Sequence, residues 1–175
     1  KMSNHDSEIR VENCSFRYGP DSDYVLKNIS FRIKPGESIA IVGSSGSGKT
    51  TLTRLLDRSY GGYEGSITIG GLEISSIEMA ELHHRVAAVR QDIQLFSDSL
   101  KFNIGLGNHL IEQDRLENAA IHANAMPIVQ RLGWGHILRE RGSDLSVGEG
   151  QLITFARTLA HGPEIIILDE ATASV

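Results

Sequence analysis

Residues Gly43-Ser44-Ser45-Gly46-Ser47-Gly48-Lys49-Thr50 spell the pattern G-x-x-x-x-G-K-[ST]. These residue types suit one task, the cradling of a polyphosphate. Glycines let backbone N–H groups turn inward and approach phosphate oxygens without side-chain clash. Lys49 supplies a mobile full charge for the outer phosphates, and Thr50 a hydroxyl for the magnesium that travels with them. A helix starting near Lys49 aims its positive end at the same anion. The plain alternative is a glycine-rich turn with an incidental lysine. The flanks argue against it. The apolar run Ile39-Ala40-Ile41-Val42 predicts a strand before the loop, and Leu52, Leu55 and Leu56 predict one face of a helix after it.

A second candidate lies near the other end. Four large aliphatics, Ile165-Ile166-Ile167-Leu168, suit a strand covered on both faces. Asp169 and Glu170 follow at once, at the carboxyl end of the predicted sheet, where open α/β folds place ligands. Asp169 can accept from magnesium-bound water, and Glu170 can orient or deprotonate an attacking water. Taken alone, the pair also reads as ordinary charges at a strand end. A third candidate is Leu145-Ser146-Val147-Gly148-Glu149, ahead of a helical pattern through Leu152, Phe155, Ala156, Leu159 and Ala160. Ser146 to Glu149 forms an S-x-x-E capping box that any helix could use. The same helix start offers a hydroxyl and free N–H groups to an anion. The residues alone do not choose between these two.

The elements that must position these groups alternate between strand and helix periods. Residues 9–16 and 29–33 alternate apolar with polar, as half-buried strands do, and Pro35-Gly36 marks a turn. Ser66–Ile69 and Val86–Val89 read as further strands. From about 99 to 140 the pattern is helical, with Leu116, Ala119, Ala120 and Ala123 on one face. Pro127 can open a further helix and Gly133 can close it. The chain of 175 residues is long enough for one domain with a sizeable core. Its net charge of −5, without a basic block, gives no nucleic-acid footprint. The single cysteine, Cys14, excludes an internal disulfide and fits a reducing compartment. No apolar run is long enough to span a membrane. Residues 1–7 read as linker, and a first residue of Lys1 suggests a segment of a longer chain.

In this order the motifs resemble the nucleotide-binding domain of an ATP-binding-cassette transporter, over nearly the whole chain. The resemblance implies an α/β P-loop NTPase fold over 8–175, with a RecA-like parallel core, a small antiparallel β subdomain and a helical subdomain at about 97–147. It implies ATP and Mg2+ as ligands. Tyr18 looks like the aromatic that stacks on adenine, and Gly43 to Thr51 like the Walker A loop. Gln91 looks like the Q-loop glutamine, which touches magnesium and water. Asp169 and Glu170 look like Walker B and the catalytic glutamate. Lys49, Gln91 and Glu170 would then serve catalysis, and Thr50, Gln91 and Asp169 the metal. Ser146 and Gly148, in the place of the Leu-Ser-Gly-Gly-Gln signature, would face the ATP of a second such domain in a head-to-tail dimer. Glu140-Arg141-Gly142, Leu95-Phe96 and Asn103-Ile104 look like the exporter type. That type implies membrane domains preceding this segment and a place at the cytoplasmic face of a membrane.

The chain departs from the pattern at Val147, where the first signature glycine is expected, and at Glu149, where the glutamine is expected. Beyond Val175 the resemblance implies a D-loop, a switch histidine, and a strand lying between 39–42 and 165–168. Residues 1–175 alone are therefore expected to be poorly stable and to hydrolyse little ATP. Their two flanking strands should show either a gap or a rearranged direct pairing. His161, His83 and His84 read as surface residues. Two rivals remain. A cassette ATPase of DNA repair or chromosome structure would carry long coiled coils, whereas only about fifty residues separate Gln91 from Leu145. A non-catalytic, nucleotide-holding partner would not need the intact Glu170.

Overall fold

A computed structural model describes residues 7–90 and 93–169. Gln91 and Glu170 lie outside the described residues, as does most of the linker at 1–7. The chain divides into two compact units, 1–86 and 87–175.

The first unit is built on an antiparallel sheet of β1 (Ile9–Phe16), β2 (Leu26–Ile33), β3 (Glu64–Ile69) and β4 (Leu72–Glu73), in the order β2-β1-β3-β4. β1 does not keep a strict period of two. Ile9 and Val11 are buried, and the buried set then resumes at Cys14 and Phe16. The extra residue is a bulge between Val11 and Cys14, with Asn13 at φ 49°. Serines satisfy the backbone around it. Asn13 N donates to Ser30 Oγ at 2.8 Å and Asn28 N to Ser15 Oγ at 2.9 Å. Cys14 is fully buried as a small core residue, and burial raises its thiol pKa. The helix α1 (Lys49–Leu56) buries Leu52, Leu55 and Leu56, as its spacing predicts. The helix α2 (Met79–Arg85) closes the unit, with His83 and His84 exposed.

One expectation is corrected here. Residues 37–44 carry no regular structure, so the predicted strand at 39–42 is absent from the described ladders. Ile39 is 48% exposed, Ile41 39% and Val42 88%. Apolar content alone does not make a strand; a ladder partner does. Among the described residues the run pairs with no strand.

In the second unit, β5 (Val86–Val89), which begins at the junction, pairs with β6 (Ile165–Leu168). Helices α3 (Leu100–Gly105), α4 (Gln113–His122), α5 (Met126–Leu132) and α6 (Val147–His161) make the rest. Pro127 lies in the first turn of α5 and Gly133 caps its end, as read from the sequence. Leu100, Ile104, Leu116, Ala120, Ile128 and Val129 share one core with Ile153, Ala156 and Ala160 of α6. Small residues on α4 and α6 let these helices approach closely.

Candidate functional site

The loop at 43–48 turns on itself, Ser47 N donating to Ser44 O at 3.2 Å, and delivers the chain into α1. Gly48 is the N-cap at φ 92°, in the left-handed region, and it makes no side-chain cap. A Cβ there would lie 2.8 Å from Leu26 Cδ2 and 3.2 Å from Val25 O. Only glycine meets both demands. Gly48 has no side chain to cap the first N–H groups of α1, and no acidic residue occupies the first turn. These donors and the helix dipole suit an anion. Lys49 Nζ donates to Gly43 O at 2.7 Å and Ser44 O at 2.9 Å, so the ammonium is tethered over the same loop.

Tyr18 reaches this helix. Its hydroxyl shares a hydrogen bond of 2.7 Å with Thr51 Oγ1, and Thr51 is buried. The Tyr18 ring stands edge-on to Phe16 (5.2 Å, 84°) and to Tyr60 (5.5 Å, 85°), while 59% of the residue stays exposed. Tyr60 stacks on Phe16 and accepts from Arg54 Nη1 at 2.6 Å. Arg54 and Tyr60 form a support for Tyr18 that the sequence reading missed. An aromatic just before Gly61-Gly62 was the one available signal.

In the second unit, Ser146 caps α6 through a complete capping box. Ser146 Oγ accepts from Glu149 N at 3.2 Å, and Glu149 Oε2 accepts from Ser146 N at 2.9 Å. Glu149 Oε1 accepts from Arg131 Nη2, an ion pair between α5 and α6 with no signature in the sequence. The Ser146 backbone bond, aided by Arg131, holds the Glu149 carboxyl below its usual range. Ser146 and Val147 are exposed, and Gly148 has open space where a Cβ would point.

The segment before this cap is anchored too. His136 Nε2 and Asp144 Oδ2 are 2.8 Å apart, and Asp144 Oδ1 accepts from Arg139 N at 3.1 Å. The His136 contact holds the Asp144 carboxyl below its usual range. Gly142, at φ 69°, lets the Glu140–Gly142 turn close onto Leu95, whose Cδ1 would lie 2.4 Å from a Cβ. Asn103 is fully buried. Its Nδ2 donates to the carbonyls of Phe96, Asp98 and Ser99, and its Oδ1 accepts from Phe96 N at 2.9 Å. Arg157 of α6 donates to Asn103 O at 2.7 Å and Gln94 O at 2.9 Å, fixing the segment that follows Gln91. At the end of β6, Asp169 N donates to Val89 O at 3.1 Å.

The structure thus gathers Tyr18, Lys49, Thr50 and Thr51 at one loop and helix start. It joins Ser146 and Gly148 at another, and sets Asp169 at a strand end.

The same motifs recur in known proteins. A family model described as ABC transporter matches residues 26–173. The ATP-dependent lipid A-core flippase of Saccharophagus degradans is 40% identical over the whole chain, which covers 30% of that protein. The mitochondrial iron-sulfur clusters transporter ATM1 of Yarrowia lipolytica is 41% identical over 96% of the chain, covering 24% of that protein. The solved structure of a bacterial Atm1-family ABC exporter with ATP bound superposes with a TM-score of 0.89 at 36% identity. It matches all of this chain and 31% of its own. The chain therefore spans less than a third of the length of these relatives. With the phosphate-loop geometry above, these matches fix the fold as that of a P-loop NTPase, and the chain belongs to the ABC transporter family, whose nucleotide-binding domain it covers.

Proposed function

We propose that this domain binds MgATP through Tyr18 and residues 43–51, pairs head to tail with a second such domain, and hydrolyses ATP to drive export. The observation that carries this reading is the glycine-opened start of α1 with Lys49 tethered above its loop. The exporters that the chain matches supply the context. The transmembrane domains of the full-length protein would be its mechanical partners, with this domain at the cytoplasmic face. No helix among the described residues is long and apolar enough to cross a membrane. A helical subdomain at about 97–147 would carry Ser146 toward the opposing ATP.

In this mechanism Tyr18 stacks on the base and the 43–48 loop amides hold the phosphates. Lys49 moves its charge from the loop carbonyls to the outer phosphates, and the partner domain's copy of the α6 helix start closes over the γ-phosphate. Glu170 orients the attacking water, and Gln91 positions that water against the phosphate. Thr50, Gln91 and Asp169 supply hydroxyl, amide and carboxylate oxygens, a hard donor set that suits magnesium. Bound there, the metal would neutralise charge on the phosphates.

The test is Glu170→Gln in the full-length protein. It should bind ATP with parental affinity, lose most turnover, and accumulate an ATP-bound dimer. Asp169→Asn should instead raise the magnesium concentration needed for turnover. Parental hydrolysis by Glu170→Gln removes Glu170 from the water-activating role.

A further inference from the structure

We propose that Arg131 is a positioning residue for Ser146, acting through Glu149. The inference rests on the reading of Ser146 as a donor to the ATP held by the partner domain. A serine hydroxyl has one proton and two lone pairs. In the capping box Ser146 Oγ accepts from Glu149 N, so its proton is left to donate outward. Glu149 Oε2, by accepting from Ser146 N, holds the backbone from which that hydroxyl projects. Arg131 fixes the Glu149 carboxylate from the other side by donating to Oε1. The two helices that carry this pair are themselves fixed. Ile128 and Val129 of α5 share a core with Ile153 and Ala156 of α6.

Charge gives the contact a second purpose. A signature ending in glutamate puts a negative charge one helical turn from the place offered to a polyphosphate. Arg131 offsets it locally. The Arg131 side chain is 51% exposed and that of Glu149 29%, so solvent screens the pair in part. Without Arg131, Glu149 would be free to leave Ser146 N and to repel the incoming anion.

The experiment is a double-mutant cycle on ATPase activity of the full-length protein, with Arg131→Ala, Glu149→Gln and the pair together. Exposed ion pairs are worth up to about fivefold, so Arg131→Ala should lower kcat/KM for ATP by about three- to fivefold. Arg131→Lys should retain most activity. In the Glu149→Gln background, Arg131→Ala should have little further effect, and the melting temperature should not track the activity. Equal losses in both backgrounds would show that Arg131 does not act through Glu149, and losses that follow melting would reduce the contact to a structural ion pair; either result overturns the inference. Ser146→Ala separates the two readings. If Ser146→Ala lowers turnover while Arg131→Ala does not, the positioning role fails alone. If Ser146→Ala leaves turnover unchanged, the underlying assignment of Ser146 fails.

Discussion

Replacing Tyr18 separates what its ring does from what its hydroxyl does. The ring is held edge-on by Phe16 and Tyr60, and these contacts survive in Tyr18→Phe. That variant loses only the 2.7 Å bond to Thr51 Oγ1. A neutral hydrogen bond contributes about 0.5–1.5 kcal/mol net, and this one exists before nucleotide arrives. Its loss should therefore appear mainly in stability, with ATP affinity within about threefold of parent. Tyr18→Ala removes the platform. Stacking of a base on an aromatic is worth about 1–3 kcal/mol, which converts to about 5-fold to about 150-fold in Kd. The loss should be similar for ATP and GTP, because every base has a π-face. Titration of each variant with fluorescent nucleotide reads these values directly. Parental affinity in Tyr18→Ala would refute base stacking by this residue. Equal losses in Tyr18→Phe and Tyr18→Ala would assign the effect to the hydroxyl and Thr51 instead of the ring.

Lys49→Ala removes charge-assisted hydrogen bonds worth about 1.5–3 kcal/mol and should weaken ATP binding by roughly tenfold or more, measured by the same titration. Asn103→Ala should destabilise the second unit by about 2–4 kcal/mol in denaturant unfolding, because Phe96 N loses its acceptor and the fully buried amide that ties the 96–99 turn is removed. The carbonyls of Phe96 and Asp98 keep other donors, Asp98 N and Leu138 N, so a much larger loss would mean that the network is not the one described.

The sequence was most legible where one residue type answers one physical demand. The 43–50 loop, the Ser146–Glu149 box, the Pro127 opening and the Gly133 closing of α5 all fall where their letters place them. The buried faces of α1 and α4 follow their periodicity as well. Legibility failed where the determinant is not local. Residues 39–42 have the composition of a strand but no described ladder partner, and composition cannot supply one. Tyr60 lies 42 residues from Tyr18, and Arg131 lies 18 from Glu149; neither spacing has a period that a reader could use. Asn103 was noticed as part of a dipeptide typical of one family type. Its physical role, a buried amide that satisfies the turn at 96–99, emerges only from the packing.

The two departures at the start of α6 differ in kind. Glu149 changes charge but not geometry. A glutamine could also accept from Ser146 N, so the box survives either residue, and the added charge is met by Arg131. Val147 changes bulk but not the donors. It opens α6 without the positive φ that would demand glycine, and its backbone N–H is an orphan of the helix start whatever its side chain. Val147 as a residue is 73% exposed and takes no part in the core. Both substitutions thus leave the N–H groups and the Ser146 hydroxyl of this helix start in place. What they alter is its surface: one branched apolar group and one paired charge, set on the face that would close over the partner's nucleotide. Changes of that kind act on how well two surfaces fit and how fast they part, so under the proposed head-to-tail dimer their effect would fall on closure and turnover more than on the binding of ATP within one domain.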